Sequence, residues 1–414
     1  MEGILAGVTE AEVVATKATR EGDCDRSGAM PEPTRIPTIM RTNKYGWLVL
    51  NSSGQHRHCR CSQEQEASLW PCGGCGPRGF LLNTYSVSRI PGRMKAWICS
   101  HYGSPDTLEL VEHPDPVPGL GEIVVRVVAT SVSTGDARVR GCRFPAGMGF
   151  AGRLVLGWRG PRQPVLGSDC AGIVEAIGGK VTQWSRGDAV LLVKGASMGC
   201  HAERVLAKAD GVVVRKPERI GWREAVSLPF GGQTARYFLD RAGIKRGDEV
   251  LVIGASGAVG SAAVQLIALA GAMAIAVTRA ENCAWIRGLG ATEVIDYTAT
   301  DYARQARRYD LVMDCVGAGS FRTLRHLVRP GGAYLAVAGG LPDYFARTRG
   351  RVRCIAGYTP ESVASIEELL RLALEGKFQP VVGEVFSFAD LPAAHARVDS
   401  GRKRGTVAVD VAPA

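Results

Sequence analysis

Gly254, Gly257 and Gly260 recur at three-residue intervals in "GASGAVG", between the apolar run "EVLVI" and the small-residue stretch "SAAVQLIALAGA". That placement predicts a strand-to-helix turn. Such a turn can hold a pyrophosphate, because free backbone amides and the positive end of the helix dipole point at the anion. In the usual dinucleotide register the pattern is Ala255-x-Gly257-x-x-Gly260, with Ala255 where a first glycine often sits. Gly257 would let the backbone approach the pyrophosphate, and Gly260 would let helix and strand pack closely. The expected cofactor-binding run is therefore Ala255, Ser256, Gly257, Ala258, Val259 and Gly260.

The tip of the next strand selects the dinucleotide. NAD sites usually carry an acidic residue there, about 20 positions beyond the glycines, for the ribose hydroxyls. Here the strand "MAIAVT" ends in Thr278 and Arg279, and Glu281 lies beyond the tip as a helix N-terminal charge. A guanidinium grips a 2′-phosphate through two hydrogen bonds. Tyr297, at the tip of the following strand "EVIDY", adds a hydroxyl. The expected cofactor is NADPH rather than NADH.

The elements that must position these residues are legible in the pattern. From Glu249 onward, six short strand-like runs alternate with helical ones, which predicts an open, doubly wound parallel sheet. Residues 94–217 read as short β-type runs among Gly and Pro turns, a mainly antiparallel, barrel-like domain. After the nucleotide domain come a helix, "SIEELLRLALEG", and a segment whose last strand could return to the first domain. The expected organisation is an extension over 1–93, a β-rich domain over 94–217, a nucleotide-binding domain over 218–359 and a returning segment over 360–414. A cleft between two domains is a natural substrate site.

Composition agrees. The chain has 414 residues, 46% of them apolar, which suits two domains with sizeable cores. The net charge of +10 suits an anionic cofactor, and no basic run interleaved with aromatics argues for nucleic acid. The opening "MEGILAGVTEAEVVATK" is broken by charges, so no secretory signal is read. The longest apolar stretch, "AAVQLIALAGAMAIAV", contains Gln265 and follows the glycine turn. It reads as a buried helix running into a buried strand, not as a membrane span. A cytoplasmic protein with reduced thiols at its 12 cysteines is expected. Residues 1–93 lack sustained periodicity and read as a disordered extension, either native or translated from a misplaced start upstream of Met94. His56, His58, Cys59, Cys61, Cys72 and Cys75 have metal-ligand spacing there but no predicted framework around them, so no metal is expected.

From Met94 to the C-terminus the chain resembles the medium-chain dehydrogenase/reductase superfamily, in its zinc-free quinone oxidoreductase branch. The segments that carry the resemblance are "PVLGSDCAGIVEAIG", "SLPFGGQTARYFL", "GDEVLVIGASGAVGSAAVQLIALAGA", "YDLVMDCVG", "LVRPGGAYLAVAGG" and "AAHARVDSGRKRGTVAV". It implies a GroES-like β-rich catalytic domain plus a Rossmann-type domain, usually in homodimers. It also implies that Thr234 lies near the nicotinamide end and Ser133 beside the nicotinamide. Val316, in the "DCVG" turn, and Gly339, in the "AVAGG" loop, would line the cofactor. Zinc-dependent relatives carry an early Cys and then Gly-His-Glu. Here "SVSTGDARVRG" has no Cys, Ser168 stands where the ligand His would be, and Cys170 is displaced in register.

Without zinc, a conjugated acceptor is the easier hydride target, because its charge spreads onto an oxygen that hydrogen bonds can stabilise. The implied activity is hydride transfer from NADPH to a quinone or an α,β-unsaturated carbonyl. Ser133, Thr134, Arg138 and His201 are the candidate donors to that oxygen, and the sequence does not choose among them. Arg138 and His201 stand where aromatics are common in relatives. The competing readings are an alcohol or aldehyde oxidoreductase and a weakly catalytic, NADPH-binding redox sensor.

Overall fold

The computed structural model describes residues 92–413, apart from 144–148, 347, 349 and 350, together with four strands nearer the N-terminus. The chain divides into two units, Met1–Pro91 and Gly92–Ala414. In the first, β1 (Val13–Ala15), β2 (Thr38–Asn43), β3 (Gly46–Leu50) and β4 (His56–Arg60) pair antiparallel in the order β1-β2-β3-β4. The expected disordered extension falls on this unit and, these strands apart, lies outside the described residues. The same holds for the side chains of the His56–Cys75 constellation.

In the second unit, β5 (Arg93–Cys99) and β6 (Leu108–Pro114) form a hairpin. The β-rich domain is then built around β7 (Glu122–Val132), β8 (Asp169–Ile177), β9 (Ala189–Val193), β10 (Arg204–Lys208) and β11 (Val213–Arg215). The parallel sheet follows: β12 (Glu249–Ile253), β13 (Met273–Thr278), β14 (Glu293–Asp296), β15 (Tyr309–Asp314), β16 (Val328–Ala336) and β17 (Arg353–Ala356). Strands β18 (Val382–Ser387) and β19 (Thr406–Asp410) close the chain. The helices are α1 (Thr134–Gly141), α2 (Gly149–Leu156), α3 (Trp222–Ser227), α4 (Thr234–Ala242), α5 (Ala258–Leu269), α6 (Cys283–Gly288), α7 (Phe321–Leu324), α8 (Leu341–Tyr344), α9 (Val363–Leu374) and α10 (Leu391–Asp399).

The β-rich sheet runs β11-β9-β8-β7-β19-β18, with β10 also on β7. Strand β7 is buried along most of its length because both of its faces are covered. Ile123, Val125 and Val127 face a core with Val174, Leu192 and Val205, and Val132 joins a second core with Trp97, Leu391 and Val407. The C-terminal β19 pairs antiparallel with β7, Val407 opposite Val132.

The other sheet has six strands, all parallel, in the order β14-β13-β12-β15-β16-β17. Val250, Leu251, Val252 and Ile253 are all buried because helices cover both faces, as all-parallel sheets require. Val250 and Val252 pack with the small side chains Ala262 and Ala263 of α5 on one face, and Leu251 and Ile253 with Phe321 and Tyr334 on the other. The strand order reverses between β12 and β15. In doubly wound sheets a ligand binds in the crevice at the C-terminal ends of the two strands flanking such a reversal. Among the described residues no helix is long and apolar enough to cross a membrane.

Candidate active site

Both strands that flank the reversal end in a loop built for close approach. After β12, Gly254 has φ +81°, the left-handed region that glycine tolerates, and a Cβ there would lie 2.4 Å from Val316 Cγ1. The tight turn therefore belongs to Gly254, one residue before Ala255. Ala255 is fully buried in the core and supports the turn from beneath. A Cβ on Gly260 would lie 2.3 Å from the Gly254 carbonyl oxygen, so this glycine lets α5 sit down on β12. Gly257 differs. It is the N-cap residue of α5, and the nearest atom to a Cβ there is Gly254 O at 3.6 Å. Space in front of it is open, beside first-turn amides that have no partner within the helix. Ser256, Gly257 and Ala258 are half-buried at this mouth and Val259 is buried behind it. The arrangement fits a pyrophosphate.

A loop from far along the chain completes the turn. Gly405 N donates to Ser256 O at 2.8 Å, Gly405 bridges Gly257, and Lys403 Nζ donates to Gly405 O at 2.6 Å. Sequence reasoning missed this contact, which joins residues about 150 positions apart.

At the tips of β13 and β14, Arg279 Nε donates to the Tyr297 hydroxyl at 2.7 Å, and both side chains reach solvent. The structure thus brings these two predicted residues together. Thr278 is buried beneath them, its hydroxyl accepting from Asn282 Nδ2 at 3.4 Å, so it backs the site and does not face it. Arg279→Ala is expected to weaken NADPH binding about ten- to a hundredfold, the range for a hydrogen bond to a charged group, with NADH binding little changed. Fluorescence titration with both dinucleotides checks this, and equal losses for the two would refute the role.

The loop after β15 hangs from one carboxylate. Asp314 Oδ1 accepts from the amides of Val316 (3.1 Å), Gly317 (2.8 Å) and Ala318 (3.1 Å), and Oδ2 from Gly319 N (3.0 Å) and the Tyr334 hydroxyl (3.1 Å). Burial, reinforced by Asp314, pushes the Tyr334 hydroxyl well above its usual range, which keeps it a donor. The cradle holds Val316, 56% exposed, against the glycine turn. The sequence pointed to Val316 and missed Asp314, although an Asp closing the apolar strand "YDLVMD" was the available signal. Thr234 opens α4 after the turn Pro229–Gln233, and its hydroxyl donates to Phe230 O at 2.6 Å. That turn presses on the start of α5, where a Cβ on Gly231 would lie 2.5 Å from Ala258 O. Gly339, after β16, lets the chain turn where a Cβ would meet Ala336 Cβ at 2.7 Å.

Ser133 meets this region from the β-rich domain. A Cβ on Gly135 would lie 3.2 Å from Ser133 Oγ and 3.6 Å from the Phe230 ring. Ser133 caps α1. Its hydroxyl accepts from Asp136 N at 3.1 Å, while its own amide donates to Asp136 Oδ2 at 2.7 Å. Ser133 is 3% exposed, so its side chain belongs almost wholly to the α1 cap and, like His201, does not line an open site as expected. Arg138 lies on the same helix, partly buried, and burial lowers its pKa while Tyr344 of α8 opposes that shift.

His201 does not join these residues. It is fully buried, donates from Nε2 to Ser131 O at 3.0 Å, and packs edge-on against His395 with ring centroids 5.4 Å apart. Burial holds its pKa below the usual histidine value. A ring with no exposed surface cannot touch an acceptor, so the expected donor role of His201 gives way to a packing role.

At the positions that hold zinc ligands in zinc-dependent relatives the chemistry is hydroxyl and carboxyl. The Ser168 hydroxyl donates to Asp169 Oδ2 at 3.4 Å and that of Ser131 to Asp169 Oδ1 at 2.7 Å. Burial, with the charge of Asp136 adding to it and the serine bonds opposing it, pushes the Asp169 carboxyl up to about 7. Cys170 is buried in the core of the β-rich domain with Val125 and Leu192. A carboxyl with both oxygens engaged by serines does not fit a zinc centre, which wants thiolate and imidazole donors. Among the described residues no group of three or more His, Cys, Asp or Glu is arranged to hold a metal.

Comparison with known proteins agrees with this architecture. Residues 119–239 match the alcohol dehydrogenase GroES-like domain, and residues 289–409 match the zinc-binding dehydrogenase domain. The 2-methylene-furan-3-one reductase of Solanum lycopersicum is 29% identical over 78% of this chain and 81% of its own length. The chloroplastic NADPH-dependent alkenal/one oxidoreductase of Arabidopsis thaliana is 28% identical over 79% of this chain and 82% of its own. The structure of the quinone oxidoreductase from Coxiella burnetii superposes with a TM-score of 0.69 at 26% identity, covering 78% of this chain and all of that one. With a GroES-like domain and a doubly wound sheet meeting at a glycine turn, the chain belongs to the medium-chain dehydrogenase/reductase superfamily, a family of nicotinamide-dependent oxidoreductases.

Proposed function

We propose that this chain is an NADPH-dependent reductase that transfers hydride to a quinone or an α,β-unsaturated carbonyl without zinc. The observation that carries the reading is that serine hydroxyls bonded to a buried carboxyl, Ser131–Asp169–Ser168, stand where zinc-dependent relatives hold the metal. An isolated carbonyl would lack a Lewis acid there, whereas a conjugated acceptor needs only hydrogen-bond donors for its developing oxyanion. Bound NADPH supplies the hydride. The first turn of α5 would hold the pyrophosphate, Arg279 and Tyr297 would hold the 2′-phosphate, and the Asp314 cradle would fix Val316 beside the nicotinamide. Val316 and Gly339 would border the nicotinamide, with Thr234 at its edge. The named activities of the tomato, Arabidopsis and Coxiella relatives support the same acceptor class. All seven cysteines of the described residues are free, which fits a reducing compartment such as the cytoplasm, and we take the working form as a homodimer.

The test is NADPH oxidation by the full-length protein with 1,4-naphthoquinone or an enone, with and without a chelator. Turnover that needs the acceptor and withstands the chelator is expected. Loss of turnover with the chelator, restored by zinc, would overturn the metal-free mechanism. Tight NADPH binding with no turnover on any acceptor would favour the redox-sensor reading.

A further inference from the structure

The loop that leads into β19 touches the glycine turn and the Arg279 loop at once. Gly405 N donates to Ser256 O at 2.8 Å, beside the first turn of α5. Arg404, the residue before it, reaches the other way, to the single helical turn Ala280–Asn282 that Arg279 caps. Arg404 Nε donates to Asn282 Oδ1 at 2.6 Å, and its Nη2 donates to Glu281 O at 2.8 Å. The guanidinium also lies over the Trp285 ring of α6, 5.6 Å from its centroid. Because β19 pairs with β7, Arg404 ties the β-rich sheet to the strand tip where Arg279 stands.

Asn282 is the link from Arg404 to Arg279. Its side chain is buried, so its oxygen and its nitrogen both need partners. A guanidinium only donates, so Arg404 fixes the amide with the oxygen toward itself and the nitrogen toward Thr278, whose hydroxyl accepts at 3.4 Å. The Asn282 backbone amide donates to Arg279 O at 2.9 Å. Asn282 thus clasps the loop on both sides of the Arg279 side chain, which itself bonds the Tyr297 hydroxyl. Removing the Arg404 donors would leave the Asn282 oxygen buried and unpaired, and the loop would shift or the amide flip to recover a partner.

We propose that Arg404 is a positioning residue for dinucleotide selectivity: acting through Asn282, it holds Arg279 where a 2′-phosphate meets it. This rests on the assignment of Arg279 and Tyr297 to that phosphate. NADH has no 2′-phosphate, so its binding does not depend on where Arg279 points, whereas both dinucleotides use the glycine turn. The ratio of the two affinities therefore isolates the Arg279 loop from the rest of the cofactor site.

The experiment titrates NADPH and NADH, by fluorescence, into the full-length protein and its Arg404→Met, Arg404→Lys, Asn282→Ala and Arg279→Ala variants, and into the Arg404→Met, Arg279→Ala double variant. Methionine keeps an apolar stem on Trp285 and donates nothing. Arg404→Met is expected to raise Kd for NADPH about three- to tenfold, the range for one hydrogen bond, and to change Kd for NADH less than about twofold. Asn282→Ala should give the same selective loss. Arg404→Lys, which keeps the charge without the fork, should recover only part of it. Once Arg279 is alanine, Arg404→Met should add nothing to the NADPH loss, because its effect runs through Arg279. Equal losses for the two dinucleotides would reduce Arg404 to a structural contact. Additive losses in the double variant, or full recovery by lysine, would make it a direct or long-range charge on the phosphate. Each of these overturns the proposal. If Arg279→Ala is selective for NADPH and Arg404→Met is not, the Arg404 proposal alone falls. If Arg279→Ala leaves NADPH binding unchanged, the 2′-phosphate reading fails and the proposal falls with it.

Discussion

Gly260→Val is expected to weaken NADPH binding more than a hundredfold and to lower the thermal stability of the protein. A Cβ at this position would lie 2.3 Å from Gly254 O, 2.6 Å from Ala255 Cα and 2.9 Å from Ala255 C. All three atoms are backbone, so no side chain can swing aside. Helix α5 would have to lift off β12, at a cost of about 3 kcal/mol by the usual scale of overpacking. Lifting it displaces the amides that face the pyrophosphate. Gly257→Ala separates binding from folding. A Cβ there meets only Gly254 O, at 3.6 Å, and the φ of −76° suits alanine, so stability should hold while the space for the phosphates is filled. Fluorescence titration and thermal unfolding of both variants give the comparison. Wild-type NADPH affinity in Gly260→Val would remove the cofactor from this turn.

The second large effect concerns Asp169. Its carboxyl titrates near 7 in the folded protein because burial disfavours the charge, whereas an unfolded Asp titrates near 3.9. Between these values the folded state holds a proton that the unfolded state has lost. Stability therefore falls as pH rises through this window and is level above it, by roughly 4 kcal/mol at 1.36 kcal/mol per pKa unit. Asp169→Asn cannot ionise and keeps an oxygen to accept from Ser131. The variant is expected to match wild type near pH 4 and to be the more stable by that order at pH 8. Denaturant unfolding of both proteins from pH 4 to 8 reads the difference curve, in which titrations common to both cancel, among them those of the paired carboxylates and of buried His201 and His395. Parallel stability curves would show that Asp169 ionises normally.

The expectations that held were local ones. Strand "EVLVI", the turn "GASGAVG" and the helix "SAAVQLIALA" could be read because hydrophobic period and glycine spacing reflect neighbours along the chain. The six-strand alternation carried the sheet type for the same reason, as parallel strands buried on both faces are apolar throughout. The pairing of Arg279 with Tyr297 was within reach once both were placed at adjacent strand tips.

What only the tertiary structure decided was which polar groups face the cleft and which are buried. His201 and Arg138 looked alike as candidate donors, yet one ring is fully buried edge-on to His395 from α10 and the other side chain stays half-buried on α1. Gly254 takes the turn from Ala255 because Val316, some 60 residues on, closes over it. Gly405 reaches Ser256, and β19 pairs with β7, across still longer stretches of chain. Local period fixes which face of an element is apolar. It carries no information about which distant side chain will meet a given hydroxyl, imidazole or guanidinium, and that meeting sets whether the group is a ligand or part of the core.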